Sequence, residues 1–143
     1  MWLFFAVILL APALYLTWNI VRQRPGNQVF LDANRPDDGQ PFDIELADIQ
    51  DQQLRATVTY SGGCGPHTFD LYVEDQQSDV NRLLQLHHQT DDACERRVTE
   101  DISFDLTQPI AEHDSPQILF TLQGNGLEPD TILYKKPAVE DEL

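Results

Sequence analysis

From residue 42 onward, apolar side chains fall on every second position in short runs, and turn formers close each run. Side chains of an extended strand alternate between two faces, whereas a helix repeats about every 3.6 residues. Runs of this kind can bury one face only as strands. Phe42, Ile44 and Leu46 make the first. Leu54, Ala56, Val58 and Tyr60 follow, opposed by Arg55, Thr57 and Thr59, and then Phe69, Leu71 and Val73. Leu84 and Leu86 come next, and then Val98, Ile102, Phe104 and Leu106, set against Thr99, Asp101, Ser103 and Asp105. Ile118, Phe120 and Leu122, with a last short run at Ile132 and Tyr134, complete the series. The intervening stretches SGGCGP, EDQQSD, HQTDDA, TQPIAEHDSP and GNGLEPD are rich in turn residues. About seven short strands at this spacing predict an all-β fold, an antiparallel Ig-like β-sandwich. A short helix has room near Gln76–Leu84 but would be undersized. The 143 residues suffice for one domain with a core.

The N-terminus reads differently. Residues 2–21 carry no charge, and about twenty residues of helix match the hydrocarbon thickness of a bilayer. Trp2 and Trp18 stand near its ends, where interfacial aromatics belong. The segment suits an uncleaved transmembrane anchor, or a signal peptide with a small-residue site at Ala11–Ala13. The expected organisation is a signal anchor or transmembrane helix over 1–21, a linker over 22–41, the sandwich over 42–136 and a polar tail over 137–143. Within the linker, Val29–Leu31 has room for one short strand. Arg22 and Arg24 follow the apolar run and no basic residue precedes it, which by the positive-inside rule would leave the domain in the cytoplasm. The cysteines argue for export.

The net charge is −15, and every acidic residue lies after residue 31. A domain this acidic repels phosphate backbones, so nucleic acid is a poor partner.

Two cysteines and two histidines carry the chemistry worth weighing. His67 shares strand parity with Phe69, His88 with Leu86, and Cys94 with Val98, so all three are expected to point inward, with Cys64 in the turn before His67. One reading is a Cys64–Cys94 disulfide in an exported domain, with His67 and His88 hydrogen-bonded at the core edge. Gly62, Gly63 and Gly65 would then supply the positive φ angles of a tight approach. The other reading is a Cys2His2 site in which Cys64, His67, His88 and Cys94 hold zinc or Cu(I) as thiolate and imidazole ligands. That site needs a reducing or protected setting. His87 is out of phase and expected to be exposed, and His113 receives no role. Asp37–Asp38 and Asp91–Asp92 read as solvated turns. Nucleophile-elbow, phosphate-loop and HExxH patterns are missing, so no catalytic residue and no cofactor are assigned.

The stretches SGGCGPHTFDLYV, LLQLHH and DDACERRVTEDISFDL resemble a group of small bacterial exported proteins, many of them lipoproteins. The shared pattern falls on Gly62, Gly63, Cys64, His67, Phe69 and Leu71, on Leu86 and His88, and on Asp92, Cys94, Phe104, Asp105 and Leu106. The lipid-attachment cysteine of a lipoprotein is missing near residues 13–22. The resemblance implies export and a compact β fold, and no activity. The expectation is a non-catalytic cell-envelope domain, anchored in the membrane by its N-terminal helix or secreted. It would face the periplasm or cell exterior and hold an envelope protein or glycan. The alternative is a metal-binding or redox protein.

Overall fold

The computed structural model describes residues 27–74, 80–125 and 127–138. Eight strands appear among them: β1 (Val29–Leu31), β2 (Asp43–Gln50), β3 (Gln53–Gly62), β4 (Thr68–Glu74), β5 (Asn81–Gln89), β6 (Arg96–Asp105), β7 (Gln117–Gln123) and β8 (Asp130–Lys135). A single helical turn, α1 (Thr107–Ala111), joins β6 to β7. One sheet has the order β1-β4-β5-β7-β8 and the other β2-β3-β6. The apolar-parity residues of both sheets, among them Leu54, Val58, Phe69, Leu71, Leu84, Leu86, Phe104, Ile118, Phe120 and Leu122, form a single buried core.

The all-β expectation therefore holds, with the predicted runs on the predicted faces. The antiparallel expectation does not, because β1 pairs with β4 and β5 with β7 in parallel. The cause is a crossover. After β5 the chain builds β6 in the opposite sheet, turns through α1, and re-enters beside β5 in the same direction. The turn cluster TQPIAEHDSP contains α1, whose Pro109 and Ile110 are buried. Asn81–Gln89 is a strand, so the expected short helix near Gln76–Leu84 is overturned over Asn81–Leu84, and its part over 76–79 lies outside the described residues. The apolar segment over 1–21, with its expected helix, lies outside the described residues. No helix among the described residues is long and apolar enough to cross a membrane.

Two local features escape the alternation rule. A bulge between Ile44 and Leu46 shifts the register of β2 on β3. An extra residue flips every later side chain to the other face. Leu46, expected inside, is 68% exposed, while Ala47 and Ile49 pack on the core in its place. The β2–β3 hairpin turns on Asp51 and Gln52, whose φ values are 48° and 63°. Positive φ at both central residues marks a type I′ turn, which favours glycine at the second position. Gln52→Gly is therefore expected to stabilise the fold by about 0.5–1 kcal/mol. A urea midpoint that stays put or falls would show that the glutamine side chain offsets its backbone strain.

The segment over 32–41 lies across the outer face of the larger sheet. The Asp32 N–H donates to the Val73 carbonyl (2.9 Å) and the Gln40 N–H to the His88 carbonyl (2.8 Å). The chain then dives inward at Phe42, which is 4% exposed. At the far end of the sandwich, Arg82 Nε donates to His113 Nε2 at 2.5 Å, and the guanidinium lies 3.6 Å from Glu112. His113, given no role from sequence, is thus a buried structural residue.

Candidate functional site

The glycine-rich turn after β3 and the loop before β6 meet at the rim of the sandwich, where β3 pairs with β6 through to Gly62 opposite Arg96. That pairing puts Cys64 and Cys94 together, with Cα atoms 5.9 Å apart and sulfurs at disulfide distance. Cys64 is exposed and Cys94 half-buried.

Asp92 organises the junction. Its Oδ2 accepts hydrogen bonds from the Cys64 N–H (2.7 Å) and the Gly65 N–H (2.8 Å), and its Oδ1 accepts from the Cys94 N–H (2.9 Å). Three backbone donors, those of Cys94, Gly65 and Cys64, hold its carboxyl well below the usual carboxylate range. Read from sequence as part of a solvated turn, Asp92 instead has a side chain only 3% exposed. The missed signal was local. An aspartate two residues before Cys94 can accept that residue's N–H in an Asx turn.

His67 Nε2 lies 3.1 Å from Asp92 Oδ2, and His67 Nδ1 lies 2.9 Å from His88 Nε2. The carboxylate can only accept, so His67 donates from Nε2. The direction of the His67 Nδ1–His88 Nε2 bond follows the tautomers of the two rings. The chain of bonds runs inward from the rim to the core. Tyr60 packs on both rings, at 4.3 Å from His67 and 4.9 Å from His88, and Phe69 stacks on His88 at 4.4 Å and 5°. Tyr60 also donates to Glu100 (2.7 Å), and burial together with that bond pushes its phenol up to about 12.

Of the three glycines expected to supply positive φ, only Gly63 does, at 95°. Gly62 serves another purpose. A Cβ there would stand 2.3 Å from His67 Nε2, so its hydrogen makes room for the imidazole.

Burial, followed by the neighbouring His67, pushes His88 down from 6.5 to about 4. The sign follows from linkage. Between these two values the unfolded chain binds a proton that the native state refuses, so stability falls as pH drops through that window. The carboxylates of Asp92 and Asp105, held low by hydrogen bonds, extend the loss below about pH 4. Between pH 7 and 4, the wild type is expected to lose about 1–3 kcal/mol more than His88→Gln in urea titrations. Parallel curves for the two proteins would show that His88 is not held neutral.

The four residues read as a Cys2His2 set do not converge. Among the described residues, Cys64, Asp92 and Cys94 have potential ligand atoms all within 4.8 Å of one another, and neither histidine joins them. Parity placed His67 and His88 inward, but β4–β5 pairing sets His88 behind His67, on the core side. Cys94 lies in a loop rather than on a strand, so strand parity does not govern it.

His87 is also corrected. Expected to be exposed, it is 1% exposed, because the segment over 32–41 covers the outer face of β5. Gly39 lies directly against its ring, Asp38 stands 3.4 Å from Nε2, and Tyr72 packs edge-on. Beside it, an open polar groove of about 460 Å³ is lined by Asp38, Gln40, Thr68, Gln89 and Asp91.

No family model matches the chain, and no curated protein matches it. Solved structures do resemble it. A NigD-like immunity protein from Bacteroides caccae ATCC 43185 superposes with a TM-score of 0.60 at 12% identity, over 78% of this chain and 64% of that one. A protein of unknown function, DUF1344, from Bacteroides vulgatus ATCC 8482 gives 0.55 at 16% identity, over 83% and 60%. The chain thus spans less than two thirds of either structure. Identities this low bear on the fold, that of small bacterial β proteins, and not on the cysteine–histidine pattern.

Proposed function

We propose that the chain is a non-catalytic binding module of the cell envelope, anchored through its apolar N-terminal segment, which takes a protein partner along β6. The supporting observation is the edge of the smaller sheet. All ten residues of β6 pair with β3 on one side, without a bulge. The opposite edge has no strand neighbour among the described residues. Natural edges are blunted by proline, bulges, covering segments or charged side chains; β6 carries five charged residues in ten but no proline or bulge, and its length and regularity offer a template for an added strand.

The flanking face suits recognition. The bulge turns Leu46 outward beside a shallow groove of about 460 Å³ that Arg55, Thr57, Asp101 and Ser103 also line. Asp101 and Asp105 favour basic residues on the partner strand at the C-terminal end of β6, while Arg96 and Arg97 favour acidic ones at its N-terminal end. The description of one structural neighbour as an immunity protein accords with binding as the role.

The test is site-specific photo-cross-linking of the full chain in its own membranes. A cross-linker at Ser103, on β6, is expected to give one discrete protein adduct. The same group at Leu133, exposed on β8, is expected to give none. Equal labelling from both positions, or none from Ser103, would refute the β6 interface.

A further inference from the structure

We propose that the Cys64–Cys94 pair is the oxidised form of a redox-gated zinc site, in which the two reduced sulfurs and the Asp92 carboxylate hold one Zn²⁺ ion with an open fourth position. The geometry is largely in place. Ligand atoms of the three residues lie within 4.8 Å of one another. Zinc bonds of about 2.3 Å to sulfur and 2.0–2.2 Å to oxygen put the sulfurs of a tetrahedral site roughly 3.8 Å apart. Opening the pair to that span moves mainly Cys64, which is exposed and flanked by Gly63 and Gly65.

The carboxylate is already oriented. Among the described residues, Oδ2 takes three donors, from Cys64, Gly65 and His67, while Oδ1 takes only the Cys94 N–H, which leaves it a lone pair. Hydrogen-bonded carboxylates of this kind are what metal sites use, because the outer partners fix the ligand's direction. His67 is thus a positioning residue rather than a ligand, and His88 positions His67 in turn. Charge selects the cation class. Two thiolates and a carboxylate bring three negative charges together in a chain of net charge −15, and a thiophilic dication such as Zn²⁺ relieves them.

The gate is thiol–disulfide exchange with a dithiol reductant. Its thiolate attacks the exposed Cys64 sulfur, a mixed disulfide forms, and Cys94 leaves as a thiolate. The second thiol of the reductant resolves the mixed disulfide and releases Cys64. Two electrons have then passed to the pair, and the reductant ends as its own disulfide. Zn²⁺ binds both sulfurs as thiolates, displacing the protons they carry as thiols.

The experiment is equilibrium dialysis of the full chain against Zn²⁺, as purified and after reduction with a phosphine, with Co²⁺ as a spectroscopic substitute. The reduced protein is expected to hold about one Zn²⁺ and to show thiolate-to-cobalt charge transfer with tetrahedral band intensity, and the oxidised protein neither. His67→Gln should keep that stoichiometry and weaken affinity about 10–100-fold. Cys64→Ser/Cys94→Ser should bind no more than the oxidised protein. Far-ultraviolet circular dichroism covers the case in which reduction unfolds the chain. Refolding on addition of Zn²⁺ supports the site, and a chain that stays unfolded overturns it. Equal uptake by oxidised and reduced protein would also overturn it, because the metal would then be held only by surface carboxylates.

Discussion

Phe69→Ala is expected to destabilise the fold by about 3–5 kcal/mol. Phe69 is 2% exposed and touches three aromatic rings. Phe42 meets it edge-on at 5.6 Å, Tyr60 at 5.6 Å, and His88 lies flat against it at 4.4 Å. Truncation removes the transfer free energy of a buried ring and leaves a cavity that the sheets can close only in part. Stacking adds to the loss. A second readout separates this account from generic core damage. Water admitted beside His88 relieves the burial that lowers its pKa, so the stability lost between pH 7 and 4 should shrink in the variant. Chemical denaturation at both pH values measures the two effects together. A cost below about 1 kcal/mol would mean that the aromatic cluster is not close-packed.

Replacing both Cys64 and Cys94 by serine is expected to cost about 3–4 kcal/mol, by the entropy of closing a loop with a sequence separation of 30 in the unfolded chain. For a domain of this size that corresponds to a fall of roughly 10–20 °C in Tm. The Asp92 hydrogen bonds go to backbone N–H groups, so they survive the substitution and keep the rim ordered in the native state. Thermal unfolding of the double variant beside the untreated and phosphine-reduced wild type makes the comparison. Reduced wild type should match the variant without metal and regain stability with Zn²⁺, because a ligand that binds only the folded state adds to its stability. A variant as stable as the wild type would show that the bridge adds nothing beyond the polar junction beneath it.

The bulge and the crossover show where reading by periodicity stops. Alternation placed Leu54 to Tyr60, Phe69 to Val73 and Ile102 to Leu106 on the faces they occupy, because a strand's side-chain period is a local property. Leu46 broke the rule because bulges depend on the pairing partner, here β3. His87 broke it because burial on the outer face depends on the segment over 32–41, distant along the chain. The parallel pairing of β5 with β7 also depends on where β6 goes between them, which no window of sequence contains.

At the rim the division is the same. Two cysteines, two inward histidines and an aspartate two residues before Cys94 are all present in the sequence, as is the glycine turn that lets Cys64 approach. The partner each residue takes is a property of three-dimensional packing. Asp92 rather than His88 stands beside the sulfurs because β3 pairs with β6 up to Gly62, which sets the glycine turn against the loop carrying Asp92. His88 is drawn inward because β5 carries it on the core face, between Phe69 and Tyr60. Sequence alone determined the strand character, the acidity and the set of reactive side chains, since these follow from residue identity and local period. Tertiary structure decided which of those side chains meet, since contacts between residues far apart in the chain form only when the two sheets pack.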